Sequence, residues 1–343
     1  MSLFFPFFSP FRPCFCKSYK IPVYPLCIYT HNSKNYRIPL TFRRFARIIK
    51  MYAFRQDSQM EEQNMRKYKK LFIFLAAALV LNIIMNFFGN RLAVEYYTMQ
   101  SDTLAEPFRI VFVSDLHNCT YGGKENAGLW EKIQEQSPDI VLFGGDVIDM
   151  SGGTDKALHL MQTAAAQHPC AYSPGNHEFM RDDYEAFFAD AELHLPVLMG
   201  NSCDIQANGQ TIRICGVVDA VGYHRQLTQS CESLTGEEDF SLLLLHQPEQ
   251  LETVTAESAG LEKHFDLVLS GHAHGGQWIV PELLPQGVYA PDQGIFPAFT
   301  NGQRESGDTT QIVSRGLAKP PRMLLFPRIC NRPELSVIDI VPA

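Results

Sequence analysis

Residues 109–117 read RIVFVSDLH: Arg109, Ile110, Val111, Phe112, Val113, Ser114, Asp115, Leu116, His117. The first part is a run of apolar, largely β-branched residues without alternation. That is the pattern of a strand buried on both faces of a parallel sheet. The run breaks into a segment carrying a carboxylate and an imidazole two residues apart. The same grammar recurs along the chain. Residues 139–143 (DIVLF) lead to Gly145-Asp146, and residues 170–173 (CAYS) lead to Gly175-Asn176-His177-Glu178. Residues 240–245 (FSLLLL) lead to His246, and residues 265–269 (FDLVL) lead to Gly271-His272-Ala273-His274. Helical patterns fall between them at 128–136, 156–166 and 183–191. Strands alternating with helices predict βαβ units and an α/β fold. In such sheets ligands bind beyond the carboxyl ends of the strands, so these loops are expected to meet at one edge. From about residue 197 the pattern is richer in strands, with Asn208-Gly209 marking a hairpin between 202–206 and 211–218. The expectation is two sheets packed between helices within one domain.

The loops offer two carboxylates (Asp115, Asp146), one amide (Asn176) and five imidazoles (His117, His177, His246, His272, His274). On an extended loop residues i and i+2 point the same way, so Asp115 with His117, and His272 with His274, can act as pairs. An all-nitrogen-and-oxygen set suits Mn²⁺, Fe, Zn²⁺ or Co²⁺ and disfavours Cu(I) or iron–sulfur clusters. The set is large enough for two divalent ions, and a metal pair roughly 3.5–4 Å apart is a device for hydrolysing phosphate esters.

The remainder of the sequence bounds the setting. The 343 residues are 45% hydrophobic, enough for one large domain plus an appendage. The net charge of −8 is uneven: residues 1–70 hold 14 of the 29 Lys/Arg and 3 of the 37 Asp/Glu. A basic head on an acidic body argues against a nucleic-acid groove in the body. At the boundary Arg66, Lys67, Lys69 and Lys70 precede the apolar residues 71–88 (LFIFLAAALVLNIIMNFF). At 1.5 Å per residue this stretch spans about 27 Å, close to a bilayer's hydrocarbon thickness. A cleaved signal would end at a small-residue site, which residues 89–94 lack, and a buried helix would rarely carry four cations at one edge. Residues 71–88 are therefore expected to be a single-pass anchor, with the N-terminus cytoplasmic and the body outside the cytoplasm. Residues 89–107 read as a linker with some strand character. Residues 1–50, without Asp or Glu, are expected to be an extension of the native chain, whose start would be Met51, Met60 or Met65. None of the nine cysteines forms a Cys-x-x-Cys pair, which excludes a zinc ribbon.

The ordered series Asp-x-His, Gly-Asp, Gly-Asn-His-Glu, a lone His after an apolar strand and Gly-His-x-His resembles the calcineurin-like metallophosphoesterase superfamily. The likeness covers about residues 108–340. Gly271-His272-Ala273-His274-Gly275-Gly276-Gln277, Ser314-Arg315-Gly316-Leu317 and Asn331-Arg332-Pro333-Glu334 are similar to its bacterial membrane-associated phosphohydrolase branch. The resemblance implies a four-layer α/β/β/α sandwich over residues 108–343 that cleaves a phosphodiester or pyrophosphate bond, and the anchor beside it favours a lipid-linked or cell-envelope substrate. It implies that Asp115, His117, Asp146 and His274 hold one metal, and that Asp146, Asn176, His246 and His272 hold the second. His177 would stay off the metals, stabilise the transition state and protonate the leaving oxygen, while metal-bound hydroxide attacks. A phosphomonoesterase on this scaffold and a non-enzymatic metal-containing envelope protein are the alternatives. Glu178 reads as an orienting or capping residue. Asp219 and His224 are placed near the site as secondary candidates, and Arg315 and Arg332 could bind phosphate or brace the fold.

Overall fold

The computed structural model describes residues 40–218, 223–319 and 328–343. In chain order its elements are α1 (Leu40–Gly89), β1 (Ala93–Ser101), β2 (Phe108–Val113), α2 (Ala127–Gln134), β3 (Ile140–Phe143) and α3 (Asp155–Ala165). Next come β4 (Cys170–Tyr172), α4 (Asn176–Phe179), α5 (Tyr184–Glu192), β5 (Ser202–Ala207), β6 (Gln210–Val217), α6 (Tyr223–Ser233) and β7 (Phe240–Leu245). The last are α7 (Leu251–Gly260), β8 (Leu267–Ser270), β9 (Tyr289–Ala290), β10 (Gly294–Ile295), β11 (Gly302–Ser306), β12 (Thr309–Val313) and β13 (Glu334–Pro342). Among the described residues one helical segment, Glu62–Met85, is long and apolar enough to cross a membrane.

The fold is mixed α/β with largely parallel sheets. One sheet has the order β1-β13-β2-β3-β4 and a second the order β11-β12-β8-β7-β6-β5. β2, β3 and β4 are parallel neighbours, as are β6, β7, β8 and β12. Side chains alternate along each strand, and the two sets enter different buried clusters. Ile110, Phe112, Ile140 and Leu142 of the first sheet share a cluster with Ile212, Ile214, Leu242, Leu244, Leu267 and Leu269 of the second. Their neighbours Val111, Val113, Val141 and Phe143 pack with Leu129 and Ile133 of α2, Leu160 and Met161 of α3, and Phe187 and Phe188 of α5. Cys215, Val217, Leu243, Leu245 and Val268 pack with Leu227 and Cys231 of α6 and Leu251 and Val254 of α7. Burial on both faces explains why the sequence shows unbroken apolar runs rather than alternation.

The stretch 89–107, read from sequence as a linker with some strand character, carries the nine-residue strand β1, paired in parallel with β13 along its whole length. Its exposure alternates, with Tyr96 outward at 60%. The local pattern is therefore that of a half-solvated edge strand. Its partner lies at the other end of the sequence, where no local periodicity can reveal it. The six described cysteines (Cys119, Cys170, Cys203, Cys215, Cys231 and Cys330) are free thiols.

Candidate metal centre

The loops after β2, β3, β4, β7 and β8 meet, and their backbones are stitched together. Asp115 N–H donates to the Gly145 carbonyl at 2.9 Å, His117 N–H to the Asp146 carbonyl at 2.9 Å, and Gly271 N–H to the His246 carbonyl at 3.1 Å. The carboxylates join the stitching: Asp115 Oδ1 accepts from His272 N–H at 2.8 Å, and Asp146 Oδ1 accepts from His177 N–H at 2.9 Å. Each carboxylate thus spends one oxygen on an adjacent loop and keeps the other. Asp146 Oδ2 lies 3.2 Å from His246 Nε2, 3.5 Å from His117 Nε2 and 3.9 Å from His177 Nε2. Such close approach needs glycine: a Cβ on Gly271 would collide with Asp115 Oδ2, and one on Gly175 with Asp146 Oδ1.

Four ligand-sized groups of three result among the described residues, each with donor atoms within 4.8 Å of one another. Asp115, His117 and His274 form one central group, and Asp146, His246 and His272 the other. The remaining two, His117–Asp149–His177 and Glu249–His272–Asp292, each share one histidine with a central group. The amide oxygen of Asn176 is buried beside them without a hydrogen-bond partner. Asp115 Oδ2, His117 Nε2 and His246 Nε2 are likewise buried and make no hydrogen bond among the described residues. Buried polar atoms are nearly always partnered, so four orphans of complementary donor chemistry in one place fit divalent cations.

Electrostatics agrees. Burial opposes charging His246, but the Asp146 and Asp115 carboxylates outweigh it and lift it to about 10. Burial, by contrast, pulls His274 down to about 3. Burial also disfavours ionised Asp146, yet the surrounding histidines, His246 first, hold its carboxyl well below the ordinary range. The pocket's two buried carboxylates demand positive charge, and in the protein alone a proton on His246 is what meets that demand.

Five of these residues occupy the left-handed region: Asp115 (φ 51°), His117 (φ 45°), Asp146 (φ 51°), His272 (φ 65°) and His274 (φ 48°). For residues with a Cβ this costs roughly 1–2 kcal/mol each. They are five of the sixteen described residues with a Cβ at positive φ, and strain at a cluster of polar side chains is a feature of functional sites.

Neighbouring residues orient the imidazoles. His246 Nδ1 donates to the Gly144 carbonyl at 2.8 Å, which turns Nε2 toward Asp146. His177 Nδ1 lies 2.9 Å from Asp149 Oδ1. Asp149 was missed in the sequence, although it stands three residues after Asp146. Arg328, buried and donating to the Arg315 carbonyl at 2.8 Å, comes within 3.4 Å of His274 Nδ1. A cleft of about 490 Å³ opens beside His117, lined also by Asp149, Lys156 and Lys319.

Glu178, at the N-terminus of α4, orients the site. Its carboxylate accepts from the backbone N–H groups of Asp146 (3.0 Å), Val147 (2.8 Å), Ile148 (3.3 Å) and Gly175 (2.9 Å). Burial, with Asp146 nearby, pushes its carboxyl up to about 7. Glu178→Ala strips these buried N–H groups of their acceptor at about 1–3 kcal/mol for each group left unsatisfied. A drop of roughly 5–10 °C in the melting temperature of the metal-free protein is expected by differential scanning fluorimetry, and an unchanged melting curve would refute this role.

The secondary candidates fall elsewhere. Arg315 bonds Glu334 at 2.7 Å and also Glu95, and Arg332 caps the carbonyls of Arg91 and Leu92, so both brace the fold. His224 lies in α6 against Glu257. Asp219 lies outside the described residues.

Comparison with known proteins places this arrangement. Residues 108–276 match the family described as calcineurin-like phosphoesterase. A metallophosphoesterase of Helicobacter pylori is 30% identical over 223 residues, covering 63% of this chain and 55% of that protein. The phosphodiesterase YaeI of Escherichia coli is 26% identical over 246 residues, covering 69% of this chain and 83% of YaeI. Among solved structures, the NAD nucleotidase of Haemophilus influenzae superposes with a TM-score of 0.43 at 15% identity, covering 62% of this chain and 51% of that one. The chain thus spans little more than half of the first of these relatives. With the motif series, the gathered loops and the matched region in agreement, residues 108–276 of the chain are a calcineurin-like phosphoesterase segment.

Proposed function

We propose that the protein is a membrane-anchored, dinuclear-metal phosphohydrolase that cleaves a phosphodiester or pyrophosphate bond. Asp115, His117, Asp146 and His274 would hold one divalent ion (Mn²⁺, Fe, Zn²⁺ or Co²⁺). Asp146, Asn176, His246 and His272 would hold the other, with Asp146 between them. The observation that carries this reading is the set of four orphaned buried atoms on Asp115, His117, Asn176 and His246. Bound there, two cations would neutralise the phosphoryl oxygens and acidify the attacking water.

The chain's own residues supply the rest. His177 Nε2 lies 3.9 Å from Asp146 Oδ2, at the edge of the pair, with its side chain 23% exposed. That leaves Nε2 within reach of a substrate at the rim of the site. Asp149 accepts from His177 Nδ1, which fixes the ring and keeps the proton of an imidazolium on Nε2 for the departing oxygen. The three buried clusters support the four-layer α/β/β/α sandwich, two sheets between two sets of helices.

The exposed apolar segment Glu62–Met85 and the cations ahead of residue 71 support a single-pass anchor, the N-terminus cytoplasmic and the body outside. An anchored body favours a lipid-linked substrate at the membrane surface. The test uses full-length protein kept in alkaline-washed membranes. It is expected to hydrolyse bis-p-nitrophenyl phosphate with Mn²⁺, to lose that activity to a chelator and to regain it on metal addition, and external protease on intact cells should remove the activity. Faster turnover of the monoester p-nitrophenyl phosphate would make it a phosphomonoesterase. No turnover with any divalent metal would leave it a non-enzymatic metal protein.

A further inference from the structure

His246 is fixed by the Gly144 carbonyl, but no motif in the sequence fixes His272. The structure supplies a partner from an unrelated segment. Asp292 Oδ2 lies 2.8 Å from His272 Nε2 and 3.5 Å from Gln247 Nε2. Asp292 sits in the turn of the two-stranded ribbon in which Gly294 pairs with Ala290 and Ile295 with Tyr289. Its φ of 58° is one that residues with a Cβ seldom adopt. The ribbon therefore holds this carboxylate against the ring at a conformational cost.

We infer that Asp292 is the positioning residue for His272 and sets its tautomer for cation binding; this rests on the dinuclear reading above. A carboxylate can only accept, so the proton of the neutral ring stays on Nε2 and the lone pair on Nδ1. The nitrogen offered to the Asp146–His246 group is then Nδ1. Carboxylate–histidine–metal relays of this kind fix the ring orientation and raise ligand basicity. Asp292 also stands within 4.8 Å of His272 and Glu249 in a group of ligand-type atoms, and two observations favour positioning over ligation. Asp292 Oδ2 has imidazole and amide N–H groups within reach, unlike the orphaned Asp115 Oδ2. Its side chain is 58% exposed, whereas that of His272 is 5% exposed.

The test is Mn²⁺ binding to the metal-free full-length protein by equilibrium dialysis. Wild type is expected to take up two ions. Asp292→Ala should weaken one of the two by about 10–100-fold and leave the other unchanged. Asp292→Asn, whose amide oxygen still accepts from Nε2–H, should stay within a few-fold of wild type. The metal-free melting temperature should be the same in all three, which a merely structural role would not predict. Two-ion binding by Asp292→Ala at wild-type affinity overturns the inference and leaves the metal centre standing. Equal losses in Asp292→Asn and Asp292→Ala overturn it by making Asp292 a ligand. Wild type that binds no Mn²⁺ sinks the metal reading itself, and this inference with it.

Discussion

Asp146→Asn is expected to lower the hydrolysis of bis-p-nitrophenyl phosphate by about a thousandfold or more and to reduce bound metal from two ions to one or none. The size follows from position. One oxygen of Asp146 holds the His177 backbone, and the other stands within 3.5 Å of both His117 and His246. An amide keeps the shape and removes the charge. Two cations held by the groups on either side of Asp146 would repel each other, and its negative charge would offset that repulsion. Losing the metal pair forfeits several kcal/mol of transition-state stabilisation, and each 1.36 kcal/mol is about tenfold in rate. A variant that retains two metals by elemental analysis and turns over within tenfold of wild type would contradict the shared-carboxylate arrangement.

His177→Ala should separate chemistry from metal binding. The His177 ring is paired with Asp149 at 2.9 Å and belongs to neither the Asp115–His117–His274 nor the Asp146–His246–His272 set; its own grouping is with His117 and Asp149. The variant is expected to keep both ions and lose about 10²–10⁴-fold in kcat. The loss should depend on the leaving group. A nitrophenolate departs readily without a proton, whereas an alkoxide needs one, so the deficit should be smaller for the aryl diester and larger for an alkyl diester. Equal losses for both would remove His177 from the role of general acid and leave it only charge stabilisation. Loss of metal in the variant would make it a ligand.

The convergence of the loops was legible because the strands before them are covered on both faces. Full burial writes an unbroken apolar run such as residues 110–113 or 242–245, and the polar residue that ends each run must lie at a strand end. The partners of the imidazoles were not legible. Asp292 comes from a two-residue strand pair whose sequence carries no period, and Gly144 acts through a carbonyl that any residue possesses. Arg328 is isolated from the motifs and becomes part of the site only through the fold. The same limit hid the partner of β1, whose strand character the sequence did show. A half-solvated strand alternates weakly, and its partner is fixed by contacts no local window contains.

That pairing has a consequence for biosynthesis. β13 lies between β1 and β2, so an inner place of the first sheet is filled by a strand that leaves the ribosome about 240 residues after its neighbour begins. Until then β1 and β2 have a gap between them, and the nascent chain carries open hydrogen-bonding edges through most of translation. A chaperone holding the growing polypeptide, or a protease inspecting it, would therefore meet this sheet in its unfinished form.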